Sequence, residues 1–137
     1  NALEMLTLPA IIQNATEEDI RHMSALLAEM DPFDETGDIP ALSPRARAFH
    51  SYLTRISKMN RILRVIEGQD EYITRFSAVS IAKENRRHAA HQEHHRLVDY
   101  VESRDLESFE RLMRKHIERS KQTCLMALEE SKLKGNG

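Results

Sequence analysis

A single cysteine, Cys124, is all that 137 residues contain, so no disulfide can close within the chain. Its thiol shares a helical stripe with Ile117 and Leu128, which makes it a buried core residue of a protein kept in a reducing cytosol. Long apolar runs are missing as well. None approaches the roughly 18–20 residues that cross a bilayer, and no signal peptide opens the chain, so no membrane partner is expected. Excess charge of either sign is missing: 20 basic residues face 22 acidic ones, for a net charge of −2. A nucleic-acid binder in its own right would carry a basic face and a high pI, and this chain has neither. Period-two alternation is missing, and no Asn-Gly turn separates apolar runs, so strands are excluded. Glycine occurs four times, twice in a closing Lys134–Gly137 tail predicted to fray. What remains is one all-α domain over residues 1–137, long enough to bury a core.

Leu3 to Asn14 reads as a helix bent or interrupted by Pro9. Asn1 and Ala2 read as a scar ahead of a chain that begins inside that helix. Thr16, followed by Glu17, Glu18 and Asp19, combines a hydroxyl cap with acids suited to the positive end of a helix dipole. Ile20, Met23, Leu27 and Met30 then mark one face. Asp31 to Pro40, with Pro32, Gly37 and Pro40, is predicted to be a loop, and Ser43-Pro44 to restart a helix. Leu42, Ala46, Phe49, Leu53 and Ile56 recur there at helical spacing, with His50 beside them. A turn near Lys58–Asn60 leads to a long helix through Ile62, Ile66, Ile73 and Phe76, which Gly68 weakens without ending. Another helix spans Glu84 to Ser103, with Ala90, His94, Leu97 and Val101 in line. Asp105 caps the last, lined by Phe109, Leu112, Met113, His116 and Ile117. Short loops make this an antiparallel bundle of about six helices.

Seven histidines is a high number for this length. His22, His88 and His95 lie off the apolar stripes and are expected to face water. His94 and His116 each replace a hydrophobe within a core stripe, and His50 borders a third. A buried imidazole needs partners for its ring nitrogens, and one divalent cation would satisfy three rings at once. Separate hydrogen bonds to backbone carbonyls are the competing arrangement. A clamp on one helix, His91 with His94 or with His95, is another.

The order Ala48-Phe49-His50, then Glu93 to Asp105, then Phe109 to Ile117 resembles the FadR C-terminal (FCD) domain of bacterial GntR-family transcription regulators. Ala15 to Met30 is similar to that domain's early helix, and the resemblance runs from Leu3 to about Leu128. It implies an antiparallel helical bundle that commonly holds a metal between one aspartate and three histidines. The histidines correspond to His50, His94 and His116. The aspartate position holds Ala46, which cannot ligate. Three neutral imidazoles can still hold zinc, nickel or a related ion, with positions open to water or a carboxylate. A metal-free pocket is the alternative that the missing aspartate leaves. Arg47, three residues before His50, either holds an acidic effector or is solvated like Arg45.

The resemblance implies a cytoplasmic sensor module rather than an enzyme. It would bind a small organic acid, form a homodimer, and reach DNA only through an N-terminal winged helix-turn-helix domain absent from this chain. Two other readings compete. A metal-bound water could serve a hydrolase, but Glu93 is the only evident base and is turned about 100° from His94 on an ideal helix. A plain structural dimerisation bundle would leave the histidines bonded to the backbone.

Overall fold

The computed structural model describes residues 2–135, the Asp70 side chain excepted. Among the described residues there are seven helices and no strand. They are α1 (Ala2–Asn14), α2 (Glu17–Thr36), α3 (Ile39–Ile56), α4 (Asn60–Gly68), α5 (Asp70–Ile81), α6 (Glu84–Ser103) and α7 (Leu106–Gly135). Of the tail expected to fray, Lys134 and Gly135 continue α7. The last two residues, like Asn1, lie outside the described ones.

Three expectations are corrected. The loop predicted over Asp31–Pro40 is mostly helix: α2 continues through Pro32 to Thr36, and the break shrinks to Gly37 and Asp38. Pro32, like Pro9 and Pro44, faces solvent, where water can take the carbonyl that a missing N–H leaves unpaired. Gly37 is the real stop. Its φ of 73° is a left-handed conformation that glycine adopts without a Cβ penalty. The N–H groups of Gly37 and Asp38 both donate to Phe33 O, at 3.0 and 3.1 Å. A Cβ at Gly37 would only reach ordinary contact with the Arg87 guanidinium, at 3.4 Å, so it is the backbone angle that calls for glycine. α3 then starts behind Asp38, whose side chain accepts from Ala41 N at 3.2 Å, and not at Ser43. The long helix predicted across Gly68 keeps that glycine as the last residue of α4 and is interrupted one residue later, at Gln69, before α5 begins.

Other signals hold. Thr16 and Asp19 form a reciprocal capping box, with bonds of 3.0 and 3.1 Å. Asp105 accepts from Ser108 N at 3.1 Å. Arg104, left-handed at φ 57°, donates to the carbonyls of Ile12 and Ala15, so the turn after α6 also closes the end of α1. Asn14 does the same for α3, donating to Ile56 O and Ser57 O at 3.2 Å each.

Five helices pack in a closed ring: α2 on α3, α3 on α5, α5 on α7, α7 on α6, and α6 back on α2. α1 lies against α3 and α7, and α4 against α3. Two-residue turns join α2 to α3 and α6 to α7, so each of these packed pairs is an antiparallel hairpin. Met23, Phe49, Leu97 and Phe109 are wholly enclosed within the ring. Each such side chain contributes about 1.5–3 kcal/mol by leaving water. The ring places α3 opposite α6 and α7, and that opposition brings the histidine-bearing faces together.

Candidate functional site

His50 on α3, His94 on α6 and His116 on α7 turn their rings to one interior point. Ring centroids are 4.9 Å apart for His50 and His94, 5.2 Å for His50 and His116, and 4.8 Å for His94 and His116. One ring nitrogen from each lies within 4.8 Å of the others. The Nε2 atoms of His50 and His94 stand 3.0 Å apart. Phe49 packs against the His94 ring at 4.9 Å and fixes one wall. His91 is not among them, because it turns outward to Asp31 on α2.

Burial, more than any neighbour, drives the His50 and His94 pKa values well below the ordinary imidazole value; His116 and nearby arginines add to the effect. Both rings are therefore neutral, with lone pairs available to a cation. His94 Nδ1 is buried and has no hydrogen-bond partner, so the ring's polar engagement lies on the side facing His50.

His116 is anchored differently. Its Nδ1–H donates to Glu93 Oε1 at 2.8 Å, which leaves Nε2 free. Glu93 in turn accepts from Arg86 at 2.5 and 3.3 Å and from Arg119 at 3.2 Å. At 1% exposure, burial raises the Glu93 pKa, but the bonds from His116 and Arg86 prevail and hold it at about 2. The expectation that Glu93 points away from the site is thus corrected: it faces His116 instead. The legible signal was the first half of α6. Between Glu84 and His95 its only apolar residues are Ala89 and Ala90, so polar side chains must line its buried face.

Arg47 is also not the solvated charge that one reading made it. It is 7% exposed, lies 3.9 Å from Glu4, and lines a cavity of about 940 Å³. Arg47, His50, His116 and Lys121 give that cavity a polar side, and Tyr72 and Phe76 an apolar one. Ser80 also lines it and presents a buried hydroxyl with no partner. Ala46 is buried one turn before His50, in line with the ring positions but without a donor atom.

The donor set fits a divalent cation. Adjacent ligands at about 2.0–2.1 Å from one ion lie roughly 3.0–3.4 Å apart, and the His50–His94 pair already has that spacing. A carboxylate bonded to the remote nitrogen of His116 is the usual outer support of a metal-binding imidazole. His50 and His116 face the cavity, so positions on such an ion would open into it.

A family model described as the FCD domain matches residues 1–119. Among solved structures, E. coli McbR/YncC is similar with a TM-score of 0.77 and 17% identity, over 94% of this chain and 64% of that one. The chain therefore spans less than two thirds of the length of that structure. No curated protein matches it by sequence. The helical ring, the order of its histidine-bearing helices and the match over residues 1–119 agree: this chain belongs to the FCD domain family.

Proposed function

We propose that the chain is the effector-sensing and dimerisation domain of a cytoplasmic GntR-family transcription regulator of the FadR subfamily. It would reach DNA through a winged-helix domain outside residues 1–137. The observation that carries this reading is the cavity of about 940 Å³, which joins two of the three converging imidazoles to a buried guanidinium. That volume lies within the range of small-molecule sites, roughly 300–1,000 Å³.

The effector is a small carboxylate with an apolar body. Arg47 pairs with the carboxylate, assisted by Lys121, while Tyr72 and Phe76 cover the apolar part. His50, His94 and His116 would hold zinc or nickel, and such an ion supplies open positions for carboxylate oxygens. The chain's own contribution is placement: Glu93 orients His116, and Phe49 backs His94.

Because the lining comes from α1, α3, α5 and α7, an anion bound there favours one relative arrangement of those helices. Signalling is then a population shift, driven by whatever difference in affinity the two arrangements offer. Leu125, Met126 and Leu133 leave apolar surface exposed on the last turns of α7, which suits pairing of two copies.

Hydrolysis is the weaker reading. The carboxylate bonded to the histidine cluster is Glu93, and a group held at about pKa 2 by its bonds from His116 and Arg86 is a poor general base.

Thermal unfolding of zinc-loaded protein against a panel of succinate, benzoate and hexanoate tests the proposal. A concentration-dependent rise in Tm with at least one acid, lost in Arg47→Ala, supports it. No shift with any acid in either metal-loaded or metal-stripped protein contradicts it.

A further inference from the structure

A second cluster lies on the outer seam between α2 and α6. His91 and His95, four residues apart on α6, aim their Nε2 atoms at one carboxylate oxygen, Oδ1 of Asp31 on α2, at 2.5 and 3.4 Å. The two rings are 4.8 Å apart and nearly perpendicular. From this geometry we infer a second divalent-cation site, Asp31–His91–His95, distinct from the interior histidines and bridging α2 to α6.

The i,i+4 spacing puts both imidazoles on one face of a rigid helix, separated by about one turn. The third donor comes from the neighbouring helix, so the cluster rests on two packed elements and no loop. One donor atom from each residue lies within 4.8 Å of the others. His91 is buried, and its Nδ1 has no partner, so the ring's polar contact is made wholly at this cluster. His95 and Asp31 are half exposed, at 49% and 53% of their side chains. An ion can therefore arrive from solvent and complete its shell with water.

A cation between His91 and Asp31 requires their 2.5 Å contact to open by less than about 1 Å to reach ligand–ligand spacing, and the exposed Asp31 side chain has the freedom to allow it. Two imidazoles with one carboxylate suit zinc, nickel or copper, whereas magnesium and calcium prefer all-oxygen shells. One turn along α2, Asp34 faces other groups: Arg87 Nε donates to its carbonyl at 3.0 Å, and His88 contacts its carboxylate at 2.9 Å. Once loaded, the site staples α2 to the helix that carries His94 and Glu93.

Calorimetric titration of Zn²⁺ into tag-free, metal-stripped protein tests the inference, using wild type, His95→Ala, Asp31→Asn and His50→Asn. Both seam substitutions change half-exposed residues, so the fold should survive them. The expected result is a class of zinc sites weakened at least tenfold in His95→Ala and in Asp31→Asn but retained in His50→Asn. Isotherms of the two seam variants that superimpose on wild type overturn the inference, as does an absence of zinc binding to wild type. Failure of the interior site alone would read differently: binding would persist in His50→Asn and vanish in the seam variants.

Discussion

The Nε2 atoms of His50 and His94 face each other at 3.0 Å across the interior of a helical ring. Two imidazole nitrogens at that distance can share one proton or one cation. A second proton would set one N–H against another in a medium that already disfavours charge. This pair therefore ties stability to pH.

In metal-stripped protein both rings resist protonation when folded, whereas in the unfolded chain each accepts a proton near 6.5. Below that pH the unfolded state binds more protons, so stability falls as acid is added and is unaffected above about pH 7.5. The expected slope approaches about 1.4 kcal/mol per pH unit for each ring. Urea unfolding between pH 7.5 and 5 measures it, and the slope should shrink in His50→Asn. A flat wild-type profile would contradict the account.

Glu93→Gln should cost about 3–5 kcal/mol, because it leaves Arg86 buried without its counter-charge. Glu93 also adds an acid-sensitive component: its pKa is about 2 in the fold against an ordinary 4.5. That contribution is complete above pH 4.5 and is lost as pH falls towards 2. Chemical denaturation at pH 7 checks the first statement, and a loss below about 1 kcal/mol would refute it.

Arg47→Ala should abolish acid-dependent stabilisation while leaving zinc affinity within about threefold of wild type, since the guanidinium contributes no ligand atom. Arg47→Lys should recover part of the response, because a point charge lacks the paired donors of a guanidinium. Parallel titrations with zinc and with the best acid of the panel separate these effects.

Phe49→Ala should cost about 3–5 kcal/mol through the cavity it leaves. The same change removes the wall behind His94, so zinc affinity should fall too. Unchanged zinc binding in a folded Phe49→Ala protein would show that this wall does not position the ring.

Much of this molecule is visible in its residues. The α6 limits at Glu84 and Ser103, the Thr16 and Asp105 caps, and the stripes on α2, α3, α6 and α7 follow from periodicity and capping chemistry. So does the convergence of His50, His94 and His116, once their helices are known to face one centre. Pro32 misled because a proline on the solvent side of a helix breaks no buried hydrogen bond, a property of its facing and not its identity. Gly68 misled in the opposite direction, since nothing local distinguishes a tolerated glycine from one just before a break. The bonds from His116 Nδ1–H to Glu93 and from Arg86 to the His116 carbonyl link α6 to α7 across 23 and 30 positions, and no local pattern encodes such a pairing. Asp31 likewise meets His91 from 60 residues away, which only the packing of α2 on α6 brings about.

The central claim is that three imidazoles form one interior cation site. Elemental analysis of tag-free protein in a His95→Ala background, which removes the seam cluster, tests it most directly. The account predicts close to one zinc or nickel per chain after dialysis against that metal, and almost none when His116→Ala is added. Retention of the metal without His116, or no retention in the His95→Ala background, would contradict it.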